Sequence, residues 1–379
     1  MNPRPAHDPR PAHGPRPVPG HGAPPRYAVV VPTLGRPSLQ HCLTALARAT
    51  EDVPPDRVIV VHDRPGRDGT VPALPLPAAL RDRTTLVPGP ARGPAAARNT
   101  GFRRAGDVPW IVFLDDDVVP SPHWGAELAR DLTGRPDTDA AVAARIEVPL
   151  PADRRPTDAE RNTAALATAR WITADMAVRR TALERVGGFD ERFRRAFRED
   201  ADLALRLLDQ GWTLAQGRRR TAHPPRQGGR WLSVRQQAGN GDDVLMRRLH
   251  GADWRERAGA PPGRLPRHRA VTAAGLAALG CALTGRPRAA ALCGALWAAG
   301  TAEFALARIR RGPRTRTEVL DMLLTSAAIP PAATWHWLRG LVAHRGTRPL
   351  ETGPAVAPVP AGPRATAPPF PGPWREATA

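Results

Sequence analysis

The stretch Phe113-Leu-Asp-Asp-Asp-Val-Val-Pro120 places three consecutive carboxylates directly behind the apolar run Trp110–Leu114. Three adjacent anions repel one another and gain nothing from a hydrophobic core. The triplet therefore has two readings: a solvated acidic turn capping a helix after Pro122, or the ligand end of a cation site. Carboxylates at a strand end, with neither Cys nor a His pair beside them, suit a hard divalent cation such as Mg²⁺ or Mn²⁺. Such an ion commonly keeps part of its coordination shell for phosphate oxygens. The surroundings of the strand decide between the two.

Working outward, Tyr27–Val31 is a continuous apolar run ended by Pro32, and Leu39, Leu43 and Leu46 follow at helical spacing behind Pro37. Arg57–Val61 repeats the strand signal and ends at His62-Asp63, before the Gly/Pro-rich loop 64–69. A helix-like segment over 93–105 leads into the strand that delivers Asp115, Asp116 and Asp117. Further on, 171–178 and 212–215 read as strands. Strands alternating with helices predict an α/β fold with a mostly parallel central sheet. Ligands bind beyond the carboxyl ends of such strands, where Asp63 and the aspartate triplet both fall.

A helix is predicted from Glu199, with Glu199 and Asp200 in its first turn and Leu203 and Leu207 forming the apolar stripe. The helix dipole favours the ionised form of acids at that end. Asp202 and Arg206 are spaced as an exposed i,i+4 pair, a structural role. Asp200 shares the face of the leucines and is expected to point into the protein, where a carboxylate needs a purpose; general base catalysis is one.

Composition bounds the function. The chain has 379 residues and 41% apolar content, enough for one large domain with or without an appendage. Its net charge of +19 would suit nucleic acid or an anionic membrane, yet every one of the 55 basic residues is Arg. With the excess of Ala, Pro and Gly, that points to a GC-rich coding sequence, so no nucleic-acid partner is inferred. Cys42, Cys281 and Cys293 show neither disulfide nor zinc spacing, which fits a reducing compartment. Residues 1–26 hold nine Pro and the repeat PRPAH, and are expected to be an extended, disordered tail without the apolar core of a signal peptide. Pro-rich residues 346–379 carry the same expectation.

The C-terminal third differs again. Residues 270–285 and 289–302 contain no charge, and 319–338 are largely apolar, interrupted by Asp321 and Pro330-Pro331. Each segment falls short of the roughly 20 apolar residues that span a bilayer, and arginines border them. Two readings stand for 261–345: helices lying at or dipping into an anionic membrane from the cytoplasmic side, or an Ala-rich soluble appendage. The intervening 27–260 would form the main domain.

Six motifs in order, PTLGRPSL (32–39), HD (62–63), ARNTG (97–101), FLDDD (113–117), GGFDE (187–191) and RED (198–200), resemble those of the inverting glycosyltransferases of family 2, which have the GT-A fold. The resemblance covers about residues 27–225. It implies a nucleotide-diphosphate-sugar donor and a glycan, lipid-linked or small-molecule acceptor, with Mn²⁺ or Mg²⁺ as cofactor. It places Pro32, Thr33, Arg36, Asp63, Arg98, Asp115 and Asp116 on the donor, Asp115, Asp117 and His223 on the metal, and Asp200, with Glu199, at the catalytic base. The cysteine usage and the arginine-bordered C-terminal segments together lead us to expect action in the cytoplasm or at the cytoplasmic face of the cell membrane. Arg98 and Asn99 have helix packing as their alternative role, His223 that of a loop histidine, and Trp231 either lines an acceptor pocket or sits in the core.

The chain departs from the family pattern at His62-Asp63-Arg64-Pro65, at Arg198 where Gly is common, and at Asp175 where Asn is frequent. A nucleotidyltransferase would use a similar sheet but carry a Gly-rich loop with Arg and Lys after the first strand, which PTLGRPSL does not. A catalytically dead membrane-binding scaffold would have no need of Asp115, Asp117 and Asp200 together.

Overall fold

The computed structural model describes residues 25–66, 68–226 and 228–350. The tails expected over 1–26 and 346–379 lie almost wholly outside the described residues.

The first half is a run of βα units: β1 (Tyr27–Thr33), α1 (Ser38–Ala49), β2 (Arg57–His62), α2 (Ala78–Arg81), β3 (Thr84–Pro88), α3 (Pro94–Arg104) and β4 (Trp110–Leu114). β3, β2, β1 and β4 are neighbours in that order and all parallel. The Val- and Ile-rich runs in β1, β2 and β4 are buried on both faces, as parallel strands covered by helices must be. Alternation sorts their side chains: Val29 and Val31 pack with Leu43 and Trp124, whereas Ala28 and Val30 pack with Phe102 and Phe113.

The second half adds β5 (Val119–Pro120), α4 (Trp124–Leu132), β6 (Asp139–Glu147), α5 (Asp158–Ala164), β7 (Asp175–Arg179), α6 (Arg180–Val186), α7 (Glu199–Asp209) and β8 (Thr213–Ala222). The eight-stranded sheet has the order β3-β2-β1-β4-β7-β6-β8-β5. β7 runs antiparallel to both β4 and β6, and β5 antiparallel to β8; the other pairings are parallel. The sheet is thus mixed but mostly parallel. The strand read over 171–178 begins only at Asp175: Trp171 has a left-handed backbone (φ 56°) and residues 173–174 form a turn.

One buried charge cluster holds the mixed region together. Arg219 on β8 is completely buried; its Nε donates to Asp175 Oδ1 at 2.9 Å and its Nη1 to Asp131 Oδ2 at 3.1 Å. Asp175 also accepts from Trp124 Nε1 and Thr221 Oγ1. A guanidinium cannot shed its proton on burial, so the Asp at 175, rather than Asn, is the counter-charge that Arg219 demands. Register places Asp175 opposite Leu114, at the root of the aspartate triplet.

The chain continues through α8 (Leu232–Arg235), α9 (Gly239–His250) and α10 (Trp254–Arg257) into three long helices, α11 (Leu265–Leu283), α12 (Pro287–Arg311) and α13 (Arg316–Ala343). The sequence reads Pro330-Pro331 as an interruption, yet α13 runs straight through it. The prolines remove two donors from the helix ladder, but packing against α9, α11 and α12 holds the helix on both sides of them.

Asp175→Asn leaves Arg219 with less than its full complement of buried negative charge. It is expected to lower unfolding free energy by about 3–5 kcal/mol, measured by urea denaturation followed by circular dichroism.

Candidate active site

The sheet brings the predicted residues to one edge. β1 ends at Thr33, β2 runs out at Asp63 and β4 at Asp115, so three adjacent strands open on the same crevice. Each aspartate of the triplet has a different partner. Asp116 is buried and accepts from Thr33 Oγ1 at 2.7 Å, with Arg36 Nη1 at 3.5 Å from its other oxygen. Burial pushes the Asp116 carboxyl above the usual range, against the pull of Thr33 and Arg36. It therefore locks the loop after β1 to the end of β4.

Asp115 is partly exposed and accepts from Arg98 Nη2 at 2.7 Å. Arg98, on α3, is buried, and its Nη1 donates to Glu199 Oε1 at 2.8 Å. The side chain is a buried fork with a carboxylate on each prong. Asn99 beside it holds the backbone of Phe189, accepting from its N–H at 2.8 Å and donating to its carbonyl at 2.9 Å.

Asp117 is buried and faces a different set. Its Oδ1 lies 3.8 Å from His223 Nε2 and has no hydrogen-bond partner, while its Oδ2 accepts from Arg226. One ligand atom each from Asp115, Asp117 and His223 lie within 4.8 Å of one another. Two carboxylates and an imidazole form a donor set suited to Mn²⁺ or Mg²⁺, and the unpartnered Oδ1 of Asp117 is free to serve as a ligand atom. The residues fit the metal. Arg226, half-exposed, supplies a positive charge against Asp117. Sequence reading passed over Arg226; its position three residues after His223 was the only signal available.

Asp63 accepts from the backbone N–H of Gly93 at 2.8 Å, and the N–H groups of Ala91 and Arg92 also point at it. Burial nevertheless raises its carboxyl above the ordinary range, and its Oδ1 is left without a partner inside the crevice. Pro32, half-buried in β1, lies opposite Val61 in register.

At α7 the sequence misses the burial of Asp202. Asp202 is fully buried, not exposed, and its pair with Arg206 at 2.8 Å is joined by His250 Nε2 at the same distance. Breaking it costs on the order of 3–5 kcal/mol rather than the few tenths of an exposed pair. α7 is covered on nearly every side, a situation a single apolar stripe does not reveal. Glu199 is buried against Arg98; burial, and then the neighbouring Asp200, push its carboxyl up to about 8. Asp200, in the first turn of α7, is partly exposed and accepts from Ala201 N–H at 2.7 Å. The helix start was expected to favour ionisation there, but desolvation dominates and the carboxyl is raised, with Ala201 N–H, Arg98 and Arg198 pulling it back. Trp231 is exposed and not in the core.

Residues 28–195 match the family model described as glycosyl transferase family 2. Over those residues, which make up less than half of the chain, it is similar to that family. Its fold is GT-A-like, a mixed, mostly parallel sheet with flanking helices followed by a C-terminal helical region. Among solved structures, the chain is similar to GalNAc-T7 with UDP, GalNAc and Mn²⁺ (13% identity, 63% of this chain and 55% of that one, TM-score 0.42). It is also similar to the mannosyltransferase PcManGT from Pyrobaculum calidifontis in complex with GDP-Man and Mn²⁺ (22% identity, 86% and 88% covered, TM-score 0.43). A third is S. aureus TarS (15% identity, 60% and 41% covered, TM-score 0.34). The chain thus spans only about half the length of GalNAc-T7. No curated protein matches it in sequence.

Mn²⁺ titration by calorimetry tests the cluster. Asp117→Asn and His223→Ala are each expected to weaken binding at least tenfold, in line with about 1.4 kcal/mol per decade, with an unchanged circular dichroism spectrum. Arg226→Ala is expected to tighten binding, because it removes a competing cation.

Proposed function

We propose that this glycosyltransferase moves a sugar from a nucleoside-diphosphate donor to an acceptor hydroxyl with inversion at the anomeric carbon. The observation that carries the reading is the buried Arg98, which ties Asp115 of the metal-suited cluster to Glu199, the neighbour of Asp200. A cation site and a candidate base are thereby fixed to one another through a single rigid side chain.

In this reading the donor lies beyond the ends of β1, β2 and β4. Asp63 and the Pro32–Thr33–Arg36 loop line the nucleoside side, with the unpartnered Oδ1 of Asp63 available to a base or ribose donor group. Asp115, Asp117 and His223 would hold Mn²⁺ or Mg²⁺, which when bound would supply positive charge to offset that developing on a departing diphosphate. Asp200 accepts the proton of the acceptor hydroxyl. The freed oxygen attacks the anomeric carbon from the face opposite the diphosphate, the C–O bond to the diphosphate breaks, and the configuration inverts. Glu199 keeps Arg98 in place, and Arg98 keeps Asp115 in place beside Asp117 and His223. A raised Asp200 carboxyl suits this work, since a base is most effective when its proton affinity approaches the working pH.

The acceptor is a glycan, a lipid-linked molecule or a small molecule. The catalytic domain works on the cytoplasmic side, with residues 261–345 meeting the membrane surface.

Asp200→Asn is expected to reduce transfer to acceptor by about 10²–10⁴-fold while Mn²⁺ and donor binding stay within a factor of two. In the wild type, transfer is expected to fall as pH drops through the raised Asp200 carboxyl, so the acidic limb lies above the ordinary aspartate value of about 3.9. A pH–rate profile with a panel of nucleotide sugars checks both. Full activity of Asp200→Asn, or loss only in Asp202→Asn, would assign the base elsewhere.

A further inference from the structure

The helices α11 and α12 form an antiparallel hairpin whose interior is glycine-lined. A Cβ added at Gly275 would fall 2.9 Å from Trp297 Cδ1, and one at Gly300 would fall 2.6 Å from Val271 Cγ2. The two backbones therefore approach closely along their shared side. On the outward sides the apolar residues have no cover: Leu276, Leu279, Leu283, Leu292 and Leu296 are each at least 58% exposed. Side-chain contacts with α13 lie at the base, where Thr334 meets Thr272 and Arg269 stacks on Trp337. A helix that is apolar all round belongs in a core or in lipid, and this hairpin stands outside the core.

Charge marks both ends of it. At the base, Arg264 and Arg267 flank Glu303, at 2.6 and 3.9 Å, and so neutralise the acid nearest the apolar stretch. At the tip, Arg286 and Arg288 stand at the start of α12. Between these layers, residues 270–285 and 289–302 are uncharged, which at helical rise is about 24 and 21 Å. The hydrocarbon core of a bilayer is roughly 30 Å. The shortfall is what the long arginine stems at both ends, together with local thinning, can bridge. α12 also has the length and hydropathy of a spanning helix.

We propose that the α11–α12 hairpin crosses an anionic lipid bilayer, with Arg286 and Arg288 seated in the far headgroup layer and α13 lying at the near one. This rests on the reading that residues 261–345 meet a membrane. A protein partner would cover one side of the hairpin, whereas lipid covers all of its outward sides and offers anionic headgroups to both arginine layers. Orientation follows from the same charges. The base carries Arg264, Arg267, Arg269, Arg308, Arg310 and Arg311 against two arginines at the tip, which places the catalytic domain on the cytoplasmic side. α13 supports the near layer, with Leu320, Leu323, Leu324, Leu338 and Val342 turned outward.

The native cysteines report on the arrangement. Cys281 and Cys293 lie within the uncharged stretches near the tip, and Cys42 is buried in the catalytic domain. The full-length chain is reconstituted into vesicles of phosphatidylcholine and phosphatidylglycerol and treated with a membrane-impermeant maleimide. Flotation with the vesicles is expected, with Cys281 and Cys293 unlabelled until detergent is added. In a chain with both replaced by Ser, Gly285→Cys is expected to react only with reagent trapped inside the vesicles, and Arg311→Cys only with reagent outside. Labelling of Gly285→Cys from outside would overturn the crossing while leaving membrane contact in place. Failure to float would overturn the membrane reading as well. Donor hydrolysis, measured in the same samples, reports separately on glycosyl transfer.

Discussion

The guanidinium of Arg98 is the constraint on which the crevice depends. It is buried, permanently charged and held between two carboxylates that come from different parts of the chain, one at the end of a strand and one at the start of a helix. Removing a cation from water costs several kcal/mol unless its donors are met, so the fold must bring Asp115 and Glu199 to it together. Once that is satisfied, the end of β4 and the start of α7 cannot move independently. The remaining acids of the site are then arranged around a fixed frame: Asp116 tied to the loop after β1, Asp63 cradled by backbone N–H groups, Asp117 left facing His223 and Arg226.

That arrangement gives each of three consecutive aspartates a separate task, which resolves the repulsion that makes FLDDD look unreasonable as sequence. The strand turns at its end, and successive side chains leave in different directions toward different cations. Asp116 and Asp115 are matched by Arg36 and Arg98. Asp117 alone has a buried oxygen without a partner, and it is the member that shares its surroundings with an imidazole.

Much of this was legible from residue order. Continuous apolar runs marked β1, β2 and β4 because parallel strands are buried on both faces, and the position of acids behind them located the crevice. Strands with weaker patterns were not legible: β3, β5 and β6 carry exposed or polar positions, and β8 reads as a strand only over its first residues before three arginines in a row. Of those three, Arg219 is buried and its neighbours exposed, a distinction that depends on Asp131 and Asp175 arriving from elsewhere. The same limit applied at α7, where a period of 3.6 showed the leucine stripe but not the His250 and Arg206 that draw Asp202 inward. Distant counter-charges decide which acid is buried, and a local pattern does not contain them.

Among the described residues the buried cations are arginines, at 98, 206, 219 and 308. Lysine in such a place can surrender its proton and persist as a neutral amine; arginine has no such escape. Each of these positions is therefore bound to its acids as one unit of inheritance. A lineage that loses Asp131 or Asp175 must lose Arg219 in the same step or soon after, and a lineage that replaces Arg219 by an apolar residue is released to vary both aspartates. Covariation among these sets should be sharper than at the hydrophobic positions around them, where a lost methyl group can be made good by any of several neighbours.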